Sequence, residues 1–174
     1  MRLVLFVVLS GIAVAASVHA FRTRLAYGFY RFIAFETLAL LVVWNTNRWF
    51  REPLSVHQLV SWVLLAGSTA LAAHGMHLLR VVGKAKKRFI EDTESLVRVG
   101  VYRYIRHPLY ASLAFFGWGV FLKGLDAVSC ILAAVATAFL VATSLSEESF
   151  DVDRLGVAYS EYKKQTKMFI PYVI

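Results

Sequence analysis

Apolar residues arrive in long uninterrupted runs in this chain, and those runs limit its fold more than any other feature. A helix that crosses a bilayer needs about 20 mostly apolar residues, because hydrocarbon offers no hydrogen-bond partner to an open backbone. Leu3 to Ala20 supplies nearly that length before the basic punctuation of Arg22 and Arg24. Phe29 to Trp44 is a shorter second run that carries Glu36, whose charge is costly in hydrocarbon unless it faces the bundle or a polar cavity. Leu54 to Leu79 is the third run, Leu109 to Leu122 the fourth and Ala127 to Leu145 the fifth. The brief turn Lys123 to Asp126 makes the last two an antiparallel hairpin. The expectation is an all-α polytopic membrane protein of about five transmembrane helices.

Composition and charge agree. The chain is 59% hydrophobic, against about 45–50% in soluble domains. Its net charge of +8 lies mainly between the apolar runs, so it marks topology, and no nucleic-acid partner is expected. Five spans put the eight Lys and Arg of residues 80–106 on the same side as the Arg22 to Arg31 loop and the tail. By the positive-inside rule the N-terminus is then outside and the C-terminus cytosolic. Arg2, an apolar core and a small-residue ending at Ala20 also resemble a secretory signal peptide. Cleavage there would leave the basic loop outside, so residues 1–20 are expected to be retained as a span.

Between the runs, Asn45 to Pro53 reads as a loop, with Trp44, Trp49 and Phe50 suited to an interfacial belt. Arg80 to Arg106 is polar and too long for a tight hairpin, so a folded interfacial segment is expected, with Lys84 to Arg88 enforcing topology or meeting anionic headgroups. After Glu147 the tail is amphipathic, with Phe150, Leu155, Tyr159 and Tyr162 among charges, and closes on the apolar stretch Met168 to Ile174. It is expected to pack on the cytosolic surface. The lone Cys130 excludes a disulfide framework and implies packing. His74 and His77 share a helix face without a third ligand, so no metal site is expected and a polar lining is the reading. Glu36 either pairs with Arg31 or a buried histidine, or orients a substrate amine.

The chemistry gathers just before the fourth run. Pro108 suits the first turn of a helix, with His107 at or beside its cap. A helix N-terminus offers unpaired amides and a positive dipole end to an anion. Arg106 and His107 add donors there. Gly100 permits a close turn, and Tyr102, Tyr104 and Tyr110 offer flat faces to a purine or a cation. The hairpin returns Glu147 and Glu148 to the level of His107, where they could receive an ammonium group. This set complements S-adenosylmethionine. Taken alone, the same residues also serve as interfacial anchors and solvated glutamates.

Gly100, Tyr102, Arg106-His107-Pro108 and Tyr110 resemble the G-x-Y-x-x-x-R-H-P-x-Y signature of the isoprenylcysteine carboxyl methyltransferase and phospholipid methyltransferase superfamily. Glu147-Glu148, Leu155-Gly156, Tyr159, Tyr162 and Pro171 resemble, in order, its later motifs. The resemblance covers roughly residues 80–174 and implies a catalytic core there, with residues 1–79 as substrate-side spans. It implies a cytosolic C-terminal helix covering a cofactor pocket, and S-adenosylmethionine held by Ser95, Leu96, Val97, Gly100, Tyr102, His107, Pro108, Leu109, Tyr110 and a glutamate at Glu147 or Glu148. Arg106, Glu147 and Glu148 are the implied catalytic residues. The acceptor would be a membrane lipid or a prenylated molecule, methylated on an isoprenylcysteine carboxylate or a phospholipid amine.

One departure matters. The carboxyl methyltransferases carry an arginine shortly before the paired glutamates, and Val141 to Ser146 contains none. The phospholipid branch resembles the chain better at that point. Membrane sterol reductases, which use a nicotinamide cofactor, resemble the same core and form the second reading. A non-catalytic protein that keeps the fold is the third.

Overall fold

The computed structural model describes residues 1–23, 25–83 and 96–173. Among these residues the chain forms six α-helices: α1 (Arg2–Thr23), α2 (Leu25–Asn45), α3 (Val56–Val81), α4 (Pro108–Phe121), α5 (Ala127–Leu155) and α6 (Val157–Gln165). No strand accompanies them among the described residues, only an isolated parallel bridge between Ile105 and Lys167.

Residues 26–48, α3 and α5 are long and apolar enough to cross a membrane, while the apolar parts of α1 and α4 are shorter. Large apolar side chains stand exposed along these helices, among them Val7, Ile12, Leu59, Val63, Ile131 and Val135. Such surfaces are stable in lipid rather than water. The protein is an all-α membrane protein.

Helix bounds follow the apolar runs with instructive differences. The expected Arg22 to Arg31 loop is largely absent, because α2 already begins at Leu25 and residues 25–31 contain no proline to stop it. Helix α5 continues ten residues past Leu145, carrying Glu147 and Glu148 inside the helix. It stops at Gly156, whose φ of 57° lies in the left-handed region that favours glycine, and the Gly156 amide donates back to the Val152 carbonyl at 2.8 Å. The amphipathic tail is thereby split into the end of α5 and the separate α6. Cys130, expected in packing, stands exposed on α5. An apolar run looks the same whether a given side chain meets protein or lipid.

The chain divides into two compact units, residues 1–66 with 114–147 and residues 67–113 with 148–174. In the first, Leu41, Val120 and Ala133 form the buried centre, and Val42, Leu65, Phe116 and Leu132 pack around it. Glycines let helices approach closely. A β-carbon at Gly117 would lie 3.0 Å from Leu38, and one at Gly119 3.1 Å from Leu65. Two polar groups inside this unit are matched locally: the Ser61 hydroxyl donates to the Gly119 carbonyl at 2.6 Å, and the Asn45 side-chain amide donates to the Leu41 carbonyl and the Ser129 hydroxyl. Glu36 accepts a hydrogen bond from Ser10 of α1 at 2.7 Å.

Asp126 ties the start of α5 to the end of α2. Its carboxylate accepts from the Ser129 amide at 3.0 Å, the N-cap arrangement, and also from the Ser129 hydroxyl, Trp44 and Arg48. Desolvation pushes its pKa up, but the bonds from the Ser129 amide, Arg48, the Ser129 hydroxyl and Trp44 outweigh it and hold the group at about 2. A depressed folded-state pKa adds stability above the unfolded value, lost as pH falls through the folded one. Asp126→Ala should therefore lower stability by about 1 kcal/mol at neutral pH. The gap to wild type should narrow as detergent-solubilised protein is unfolded thermally between pH 4 and pH 2, a window bounded by an ordinary aspartate near 4 and the folded value of about 2.

Candidate functional site

The second unit assembles most of the described residues singled out in the sequence. Val97 and Tyr102 are buried, Leu96 is half-buried, and Ser95 lies outside the described residues, as does the run Lys84 to Arg88. Of the expected interfacial segment, residues 96–107 form a short 3₁₀ turn, Gly100–Arg103, and an extended stretch leading to α4.

Gly100 opens that turn with φ of 59°, and a β-carbon on it would fall 2.6 Å from Leu78 and 2.8 Å from His74 Nε2. The close turn and the bare α-carbon are both required. His74 and His77 are exposed on α3, and His74 reaches Gly100. Gly75 meets the next part of the site, since a β-carbon there would lie 3.3 Å from Leu109 and 3.4 Å from Pro108.

The extended stretch is pinned by the C-terminal segment. The Lys167 amide donates to the Tyr104 carbonyl at 3.0 Å, the Arg106 amide to the Lys167 carbonyl at 2.8 Å, and the His107 amide to the Met168 carbonyl at 3.1 Å. Helix α4 then starts where the sequence places it. Pro108 is its first residue, and the His107 carbonyl accepts the Ala111 amide at 2.9 Å. The amides of a helix's first turn have no carbonyl of the same helix below them. The His107 ring stacks near Tyr110, with centroids 5.7 Å apart, and meets the edge of Phe169.

Glu148 sits at the centre of this unit's charge. It is fully buried, and its Oε1 accepts from Arg106 Nε at 2.7 Å and lies 3.3 Å from His107 Nε2. Its Oε2 stands 2.6 Å from the Lys163 ammonium of α6. Arg106 Nη1 donates to the carbonyls of Lys163 and Thr166 at the end of α6. One arginine thus binds α5, the entry to α4 and the C-terminal strap together. Glu147 belongs to the other compact unit.

Helix α6 presents two buried tyrosines. The Tyr162 hydroxyl donates to the Tyr102 carbonyl at 2.6 Å, and burial pushes its pKa up against the opposing charges of Arg106 and Arg98. Arg98 lies over the Tyr162 ring and donates to the Ala158 carbonyl. Lys163, Thr166 and Arg98 are site members that the sequence did not single out. Lys163 adjoins Tyr162 in the late motif, which was its one signal.

An all-α membrane protein with this arginine–histidine–proline helix start and a glutamate beneath it defines a narrow class. Residues 56–155 match the phospholipid methyltransferase family, and the chain belongs to it. Among curated proteins it is similar to a methanethiol S-methyltransferase of a Pseudomonas species, 24% identical over 74% of this chain and 50% of that one. It is also similar to methanethiol S-methyltransferase 1 of Bradyrhizobium diazoefficiens, 29% identical over 64% of this chain and 39% of that one. A protein-S-isoprenylcysteine O-methyltransferase of Schizosaccharomyces pombe is 27% identical over 61% of this chain and 44% of that one. The chain therefore spans half or less of the length of these relatives. No solved structure gives a significant match.

Two outcomes follow from the geometry. Removing one member of a buried ion pair strands the other, at about 3–5 kcal/mol, whereas replacing both by apolar residues costs far less. Arg106→Met and Glu148→Leu should each destabilise strongly, and the double variant should lose much less than their sum, as read by a double-mutant cycle of thermal unfolding. Gly100→Ala should cost about 1–2 kcal/mol from its left-handed backbone, and more where Leu78 and His74 fail to move aside.

Proposed function

We propose that this protein is an S-adenosylmethionine-dependent membrane methyltransferase acting on a lipophilic acceptor, with residues 80–174 as its catalytic core and residues 1–79 as the acceptor-side spans. The observation that carries the proposal is Glu148, a buried carboxylate already holding an ammonium, placed at the start of α4 within the family match. That donor set fits the amino-acid end of S-adenosylmethionine. Of the groups on Glu148, Lys163 is the exposed one, at 45%, so its ammonium is the one most readily exchanged for another.

When bound, S-adenosylmethionine supplies an electrophilic methyl group on a sulfonium, ready for in-line displacement. The positive end of α4, with His107, Pro108 and Leu109 at the helix start, would hold the carboxylate. Glu148 would hold the ammonium, and Gly100, Tyr102 and Tyr110, with Ser95, Leu96 and Val97, would border the remainder. Arg106 is proposed as the positioning residue that fixes Glu148. With an amine acceptor, Glu147 is the glutamate proposed to take the departing proton, because Glu148 is engaged with the ammonium and, although burial pushes its pKa up, is held at about 2 by bonds from His107, Lys163 and Arg106. A carboxylate acceptor arrives already anionic and needs only orientation. Most of the rate would come from alignment in a water-poor pocket. The N-terminus is proposed outside and the C-terminus cytosolic, with α6 covering the cofactor pocket.

Isoprenylcysteine carboxylates and phospholipid amines are the acceptor classes proposed first. The two methanethiol S-methyltransferases among the relatives favour a thiol as a further class.

Calorimetric titration in detergent with S-adenosylmethionine, S-adenosylhomocysteine and NADPH is the test. Both sulfur ligands should bind, and both should bind at least about tenfold more weakly to His107→Ala and Glu148→Gln, a loss of about 1.4 kcal/mol. NADPH binding alone would turn the assignment to a reductase, and silence from all three in folded protein would remove the cofactor from the proposal.

A further inference from the structure

The other compact unit carries a second polar constellation, built from the segment after α2, the start of α3 and the turn after α4. Its core is Lys123, 3% exposed. Among the described residues no carboxylate comes within ion-pair distance of this ammonium. It donates to Gln58 Oε1 at 2.9 Å and lies 3.3 Å from the centre of the Trp62 ring, with Trp49 at 5.6 Å. Cation–π contacts and one amide oxygen compensate only part of the hydration an ammonium loses on burial. Desolvation accordingly lowers the Lys123 pKa.

Gln58 is fully buried and cannot turn away. Its amide nitrogen donates to the carbonyls of Arg48 and Arg51 at 3.2 and 3.1 Å, which fixes its oxygen on Lys123. Lys123 and Gln58 form one wall of a cavity of about 300 Å³, and Arg48, Arg51, His57 and Glu52 form much of the rest. Arg48 is already paired with Asp126. Arg51, Lys123 and His57, whose Nε2 lies 3.2 Å from the Ser55 hydroxyl, line the space beside it, against the single acid Glu52.

Backbone strain is concentrated on the same cavity. Glu52 and Leu125, both lining it, have φ of 49° and 39°, two of the three non-glycine residues with positive φ among the described residues. Strained backbone tends to persist at ligand clamps. An aromatic cluster adjoins it, with Phe50 and Trp49 both packed on Trp62. Aromatic side chains of this kind favour the level of lipid headgroups.

We propose that this cavity binds a phosphate oxyanion, through Lys123, Arg51 and His57, presented by a membrane lipid headgroup or by free phosphate. Its volume suits one such group and is small for a nucleotide. Arg51 supplies a planar fork matched to two phosphate oxygens, and Lys123 a point charge with protons to spare. The neighbouring aromatic cluster favours the lipid source. This site shares no residue with the proposed methyl-donor site, and its test does not depend on activity.

The experiment is a titration of the detergent-solubilised chain with inorganic phosphate, short-chain phosphatidylglycerol and the matching phosphate-free diacylglycerol, read by calorimetry and thermal unfolding. Saturable binding and a raised Tm are expected with phosphatidylglycerol and not with diacylglycerol. A response to free phosphate alone would assign the soluble source. Arg51→Ala, an exposed position, should weaken binding about tenfold. Lys123→Met keeps the side chain against Trp62 without the charge; it should abolish binding and raise Tm in the absence of anion. The proposal falls if none of the phosphate compounds binds, if binding is unchanged in both variants, or if Lys123→Met lowers the anion-free Tm, which would make the lysine a structural cation.

Discussion

Hydrocarbon cannot hydrogen-bond, and everything else in this protein follows from that. A backbone in lipid must satisfy itself, so the apolar runs become helices and nothing else. Charged side chains are then confined to helix ends or forced to find partners. At the turn after α4 this gives Asp126 its four donors and Lys123 its tryptophan faces. In the other unit it gives Glu148 three cationic or potentially cationic neighbours, and Arg106 a carboxylate and two carbonyls. At Asp126 and Glu148 these partners outweigh desolvation, whereas at Lys123 they offset it only in part.

Fold class was readable from the sequence because that constraint is severe. The starts of α4 and α5 were legible to within a residue, since Pro108 acts locally as a first-turn residue and α5 begins with the apolar run after the turn Lys123 to Asp126. The region around Arg22 to Arg31 was misread as a loop because charge suggests an interface but does not break a helix; only the backbone decides that. The exposed face of α5 at Cys130 was invisible for a different reason. Lipid and protein interior are equally apolar, so hydropathy marks no inward face.

The candidate site was legible in its local part. Gly100, Tyr102, His107 and Pro108 form one continuous stretch, and their spacing states what the backbone does there. What could not be read were the members brought from α6 and beyond. Lys163 reaches Glu148 only because Gly156 ends α5 and redirects the chain, and the carbonyls of Thr166 and Lys167 carry no side-chain signal at all. Arg106 illustrates the limit: its residue type suggested a cation free to meet substrate, whereas tertiary structure gives it a carboxylate and two helix-end carbonyls.

The pairing of residues 104–107 with residues 167–168 also sets an order of assembly. The second compact unit holds both the stretch and the strap that pins it, some sixty residues further along the chain. At about 5–20 residues each second, a ribosome takes several seconds to add the residues between that stretch and its strap. During most of that interval Arg106 already exists on the nascent chain, but Glu148 and the carbonyls that seat the arginine have not yet been made. The seat of Arg106 is therefore completed late in synthesis, and a chain halted before residue 163 lacks both carbonyls that receive its guanidinium.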